Sequence, residues 1–133
     1  MKPVGPIPAG YETIAGELAI GGKRASELVA EAGKYGIPVD HCIIDPAISP
    51  IGADSDGRFH CLMGAINLIH NDPALKGVHM SVGLSNFSVM LPPKRADGSP
   101  TKGPLESAFL TMSVPLGMDH VIGNRCDHIG HRI

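Results

Sequence analysis

Three short apolar runs recur along this 133-residue chain, and each stops at a side chain carrying a carboxylate or an amide. Cys42-Ile43-Ile44 runs into Asp45-Pro46, Val78-His79-Met80-Ser81-Val82 runs into Gly83-Leu84-Ser85-Asn86, and Val121-Ile122-Gly123 runs into Asn124. The polar endpoints Asp45, Asn86 and Asn124 stand 41 and 38 residues apart. That interval accommodates a strand, a loop and a helix, so the beat predicts parallel strands joined by right-handed helical crossovers. In parallel α/β proteins ligands bind at the carboxyl ends of the strands. Asp45, Asn86 and Asn124 are therefore expected on one rim of a barrel that reads a polar heterocycle.

The intervening segments carry helical periodicity. Residues 11–20 begin a helix that Gly21-Gly22 should weaken or interrupt. In 23–35, Ala25, Leu28, Val29, Ala32 and Tyr35 follow a three-four spacing and are assigned one buried face; Gly36 and Pro38 end the helix. The strand at 41–44 is apolar without alternation, as when both faces are covered. A second helix at 57–70 points Phe59, Leu62, Met63, Ile66 and Ile69 inward, and a second strand spans 78–84. The stretch 92–100 is rich in proline and charge and reads as a long exposed loop. A third helix at 104–116 has Leu105, Ala108, Phe109 and Met112 as its stripe, with Pro115 bending or stopping it, and a last strand covers 120–123. Phe59, Met63, Phe109 and Met112 are read as core, and His41 and His79 are placed at the end of the sheet away from the chemistry.

Composition excludes several classes. Apolar residues make up 43% and charged residues 18%, enough to drive a core. The 17 glycines and 12 prolines suit a chain of many turns. A net charge of −2 offers no electrostatic case for nucleic acid or an anionic membrane, and no apolar stretch approaches bilayer length. The amino-terminal Met1 to Pro6 lacks the apolar core of a signal peptide, so a cytoplasmic protein is expected. Cys42, Cys61 and Cys126 are odd in number and form no CxxC pair, which argues against disulfides or a zinc knuckle. Cys126, His128 and His131 read as solvated tail residues rather than a metal cluster.

Ile44-Asp45-Pro46, Gly83-Leu84-Ser85-Asn86-Phe87-Ser88, the run Leu105 to Met112 and Gly117-Met118-Asp119 occur in an order that resembles the methyltetrahydrofolate:corrinoid methyltransferases, part of the pterin-binding, dihydropteroate synthase-like barrel superfamily. The resemblance covers residues 1–127, leaving 128–133 as a tail. Its members are (β/α)8 TIM barrels, which need about 250 residues. This chain has room for about half, and the motif order matches the carboxyl-terminal half, strands five to eight, with Met1-Lys2-Pro3 at the end of strand five.

The resemblance implies transfer of the N5 methyl group of methyltetrahydrofolate to the Co(I) of a corrinoid carried by a partner protein, so the chain itself would need no metal. Asn86 matches the residue that hydrogen-bonds N5 as the C–N bond breaks; an amide donates or accepts and stays neutral. Asp45 matches an aspartate accepting from the pterin donors. Gly83 would let the ring approach the backbone, Ser85 would add a contact, and Asn124 would join the pterin site. Asp45 before proline is also a simple turn former. Lys94 and Arg95 suit either a glutamate tail or solvent, and 96–102 is an insertion relative to the family pattern. Two other functions compete. One is a dihydropteroate synthase-like enzyme, for which the expected late Lys and Arg set is not evident. The other is a non-catalytic pterin-binding half-barrel. A half-barrel leaves open strand edges, so a homodimer or a complementing barrel half is expected.

Overall fold

A computed structural model describes residues 11–123. Within them the chain is mixed α/β, with four helices and a three-stranded parallel sheet: α1 Tyr11–Lys34, β1 Ile43–Ile44, α2 Arg58–Asn71, β2 His79–Gly83, α3 Leu84–Ser88, α4 Lys102–Ser113 and β3 His120–Ile122. Short 3-10 turns stand at Val39–His41, Ile51–Ala53, Pro73–Leu75 and Val114–Leu116. The strand order is β1-β2-β3, in chain order, with Ile43 opposite His79, Ile44 opposite Met80, Ser81 opposite His120 and Gly83 opposite Ile122. The parallel beat expected from the polar endpoints is therefore present.

Helix α1 differs from expectation by running straight through Gly21-Gly22. Two interior glycines cost about 1 kcal/mol each relative to alanine. The helix survives because it packs along α2, burying Ala25 and Val29. The side chain of Ser26 also donates to the Gly22 carbonyl at 3.2 Å and to Asp72 at 3.3 Å. Leu28 and Tyr35 are not on the buried face; they are 64% and 78% exposed. At 100° per residue both lie about a quarter turn from the Ala25–Val29 line, and α2 alone is too narrow to cover them. The helix closes as a Schellman motif: Gly36 takes φ 74°, its N–H reaches Gly33, and the Ile37 N–H reaches Ala32.

Helix α2 starts where the Asp54 carboxylate accepts the Arg58 and Phe59 amides at 2.7 and 3.0 Å. It buries Leu62, Ile66 and Ile69 as expected. Phe59, Phe87 and Phe109 form one aromatic cluster, with ring centroids 5.1 to 6.3 Å apart, that joins α2, α3 and α4. The stripe read for the third helix is corrected: Ala108 and Met112 face solvent, and Met112 is 52% exposed. The inward line is Glu106, Phe109 and Ser113. It lies on the side of α4 that meets α3, and a polar residue therefore occupies the seam. The α-helix ends at Ser113 and Pro115 sits in the 3-10 turn that follows, so the expected stop occurs.

The sheet is covered on one face. Residues paired in register across parallel strands point to the same side. Met80 and Val82 are buried at 1% and 0% exposure, and Ile44 packs against the same core. Burying each such side chain contributes roughly 1.5–3 kcal/mol. On the opposite face lie Ile43, 56% exposed, and Ile122, 70% exposed, with half-buried His79, Ser81 and Gly83 between them. The expectation of a first strand covered on both faces is thus corrected: among the described residues nothing lies over Ile43. Stepping from β1 to β2 to β3 in one direction, with right-handed crossovers, places every crossover helix on the same side. No helix of the described residues is long and apolar enough to cross a membrane.

Candidate functional site at the carboxyl ends of the strands

The Gly83-Leu84-Ser85-Asn86 segment is a strand-to-helix turn rather than the tail of a strand. β2 ends at Gly83, and α3 begins at the next residue. Leu84, Phe87 and Ser88 bury themselves beneath the turn, which leaves Ser85 and Asn86 exposed on its outer side. A side chain at position 83 would meet the Asn86 amide nitrogen 3.1 Å from its Cβ. Gly83 therefore makes room for Asn86, a role distinct from the direct ring contact that the resemblance implies.

Behind this turn, the Ser88 hydroxyl donates to Glu106 in a buried hydrogen bond. Ser88 is 1% exposed and Glu106 2% exposed. The pair locks the end of α3 to α4, and so fixes the helix from which Asn86 projects. Glu106 was not legible as a site residue. The available signal was a carboxylate at three-residue spacing from Phe109 and seven-residue spacing from Ser113, in the middle of a buried stripe.

Asp45 follows β1 directly and stands on the same end of the sheet as Asn86. Its carboxylate accepts the Ala47 amide at 2.8 Å in a tight turn, with Ala47 at φ 64°. The turn-forming role of Asp45 is thus realised. One carboxylate oxygen is engaged, and the side chain remains exposed, so it retains acceptor capacity. The loop after β1 packs against α3, and a Cβ added at Gly52 would lie 3.1 Å from the Leu91 side chain. A shallow recess of about 210 Å³ lies under this loop, lined by Pro46, Ala47, Ser49, Arg58, Cys61 and Leu62, among others. Neither Asp45 nor Asn86 lines it. The rim that bears those two side chains is open to solvent among the described residues.

Asn124 lies outside the described residues, as do Met1-Lys2-Pro3, where the end of strand five is expected, and Cys126, His128 and His131. The segment 96–102, expected to be an insertion, forms a tight hairpin followed by the start of α4. Lys94 bridges Pro100, the Arg95 amide donates to Ser99 at 2.8 Å, and Asp97 accepts from both the amide and the hydroxyl of Ser99. Those Ser99 hydrogen bonds, the hydroxyl's first, hold the Asp97 carboxyl below its usual range. Lys94 and Arg95 are exposed.

The opposite end of the sheet carries a cluster that was not anticipated from the sequence. Asp119, just before β3, accepts the Met80 amide at 2.8 Å and hydrogen-bonds His79 through one oxygen and His120, at 3.0 Å, through the other. Burial pushes the Asp119 carboxyl up, but the hydrogen bonds from His79, His120 and Met80 together outweigh it and bring it down to about 2. His79 does stand at the amino-terminal end, as expected; Asp119 and His120 were hidden because their partners lie some forty residues away in sequence. Gly117-Met118-Asp119 gains a structural account. Gly117 takes φ 113°, and a Cβ there would lie 2.4 Å from the His70 ring, while Met118 is 2% exposed in the core.

Compared with models of known protein families, the chain matches none.

Proposed function

We propose that this chain is the carboxyl-terminal half of a pterin-binding barrel that moves the N5 methyl group of methyltetrahydrofolate to the Co(I) of a corrinoid held by a partner protein. The observation that carries this reading is the placement of Asn86. It projects from a strand-to-helix turn at the carboxyl end of the central strand, exposed, with Gly83 kept bare beneath it. A departing N5 needs a proton or a strong hydrogen bond as its bond to carbon breaks, and an amide held on a packed turn presents one without carrying charge. Asp45, at the same end of the neighbouring strand, would accept from the pterin amide and amino groups. Ser85 would add a contact beside them, and Asn124 would complete the rim from the third strand.

The one-sided sheet supports the half-barrel part of the proposal. Strands stepping in one direction with all crossover helices on one side are the winding of a (β/α)8 barrel, whereas a doubly wound sheet reverses and covers both faces. Ile43 and Ile122 on the exposed face, and the edges of β1 and β3, which no described strand pairs, call for a second copy or a complementing half. Methyl transfer would then be a property of the assembled barrel.

Calorimetric titration of methyltetrahydrofolate into the purified chain, alone and with a complementing half, followed by a methyl-transfer assay to Co(I) cobalamin, tests both parts. Transfer by the assembled form that falls far more than binding in Asn86→Ala supports the reading. Binding without transfer in every assembly would reduce the protein to a pterin-binding module. The absence of binding in all of them would sink the pterin proposal altogether.

A further inference from the structure

We propose that His79, Asp119 and His120 form a binding site for a divalent transition-metal ion of the zinc class, clamping the amino-terminal ends of β2 and β3. The proposal rests on these two strands alone and not on the methyltransferase reading, whose residues lie at the other end of the sheet. Two imidazoles and one carboxylate are a donor set that zinc, cobalt and nickel accept, with remaining positions filled by water. One ligand atom from each of the three side chains lies within 4.8 Å of the others.

The geometry is close to what an ion requires. With metal–ligand bonds of about 2.0–2.1 Å, donor atoms at tetrahedral angles stand about 3.3 Å apart, and two coordinated imidazoles have ring centroids about 5.2 Å apart. The His79 and His120 centroids are 5.1 Å apart at an interplanar angle of 78°, and the His120 Nδ1 lies 3.0 Å from Asp119. Two of the donors open strands, and Asp119 immediately precedes β3. His79 opens β2, His120 opens β3, and the Met80 amide orients Asp119 by donating to its carboxylate. The side chains of His79, Asp119 and His120 are 37%, 40% and 50% exposed, so an ion has an open approach.

Without metal, each imidazole hydrogen-bonds through Nδ1 to Asp119. Loading moves the neutral ring's proton to Nε2 and turns the Nδ1 lone pair to the ion, while Asp119 contributes an oxygen. An imidazole that carries a second proton must release it before it can bind the ion, so affinity falls as the solution is acidified.

The test is titration of Co(II) into the full chain, read by its visible ligand-field bands, with Zn(II) calorimetry alongside. The expected result is one ion per chain, with affinity reduced at least tenfold in His79→Gln and again in His120→Gln. It should be unchanged when Cys126, His128 and His131 are replaced by serine or glutamine. Binding that survives the double histidine variant, that vanishes with the tail replacements, or that is absent at about 100 μM metal overturns the site. A measurement on the unmutated chain guards against misfolded variants: substoichiometric Ni(II) should broaden the imidazole NMR signals of His79 and His120 before those of the other histidines. Earlier broadening elsewhere would also overturn the proposal.

Discussion

The two ends of β2, a strand of five residues, are built on opposite plans. At its start, Asp119 accepts three hydrogen bonds, from a backbone amide and from two imidazoles, and Gly117 seats the preceding turn against His70. At its end, the chain turns sharply into α3 and leaves Ser85 and Asn86 facing solvent, held through the buried Leu84, Phe87 and Ser88 beneath them. One end spends its polar groups on joining strands, and the other leaves them available. Parallel barrels divide labour in this way, with stability at the amino-terminal face and chemistry at the carboxyl-terminal face.

The most damaging substitution should be Gly117→Ala, at the joining end. A left-handed backbone and a Cβ 2.4 Å from the His70 ring predict a loss of about 3 kcal/mol or more in urea unfolding. His70→Ala added to it should restore part of that loss; full additivity would show that backbone strain alone is responsible. Next in size, if the proposed function holds, Asn86→Ala should lower methyl transfer by about a hundredfold while shifting stability by less than about 0.5 kcal/mol. A large drop in melting temperature would erase the contrast between the two ends.

Glu106→Ala removes the partner of the buried Ser88 hydroxyl and should cost about 2 kcal/mol, with Glu106→Gln recovering most of it because an amide oxygen still accepts. Equal losses in both variants would mean that charge, not the hydrogen bond, matters at α3. The smallest effect concerns Asp119. Its carboxyl titrates near 2 in the fold against 3.8 ordinarily, so its contribution is present above pH 3.8 and lost as the pH falls toward 2. With the side chain 40% exposed, solvent screening holds this to about 1 kcal/mol or less. Urea midpoints from pH 6 to 2 should fall less steeply in Asp119→Asn than in the unaltered chain.

Much of the carboxyl end was legible in sequence, because a strand that stops at glycine and an amide is a local pattern. The apolar runs located β1, β2 and β3 to within a few residues, and Gly36, Pro38 and Pro115 marked real boundaries. The amino end was not legible. His79 and Asp119 meet because register sets Ser81 beside His120, and no local rule supplies a register between strands forty residues apart. The helix faces failed for a related reason. Leu28 and Met112 fit a three-four spacing, but which side of a helix is buried depends on what stands beside it, and each helix here has neighbours along a narrow seam only. Gly21-Gly22 misled because propensity is a weak prior that packing along α2 overrides.

The close seat of His70 on Gly117 also bears on how such a chain can be recombined. His70 belongs to the helix between β1 and β2, whereas Gly117 belongs to the connection into β3. A crossover of one βα unit with another protein would have to bring a bare backbone and a matching ring together, although they enter from different units. Single units are therefore poor modules for exchange, and the smallest transplantable piece of this protein is two consecutive units moved as one.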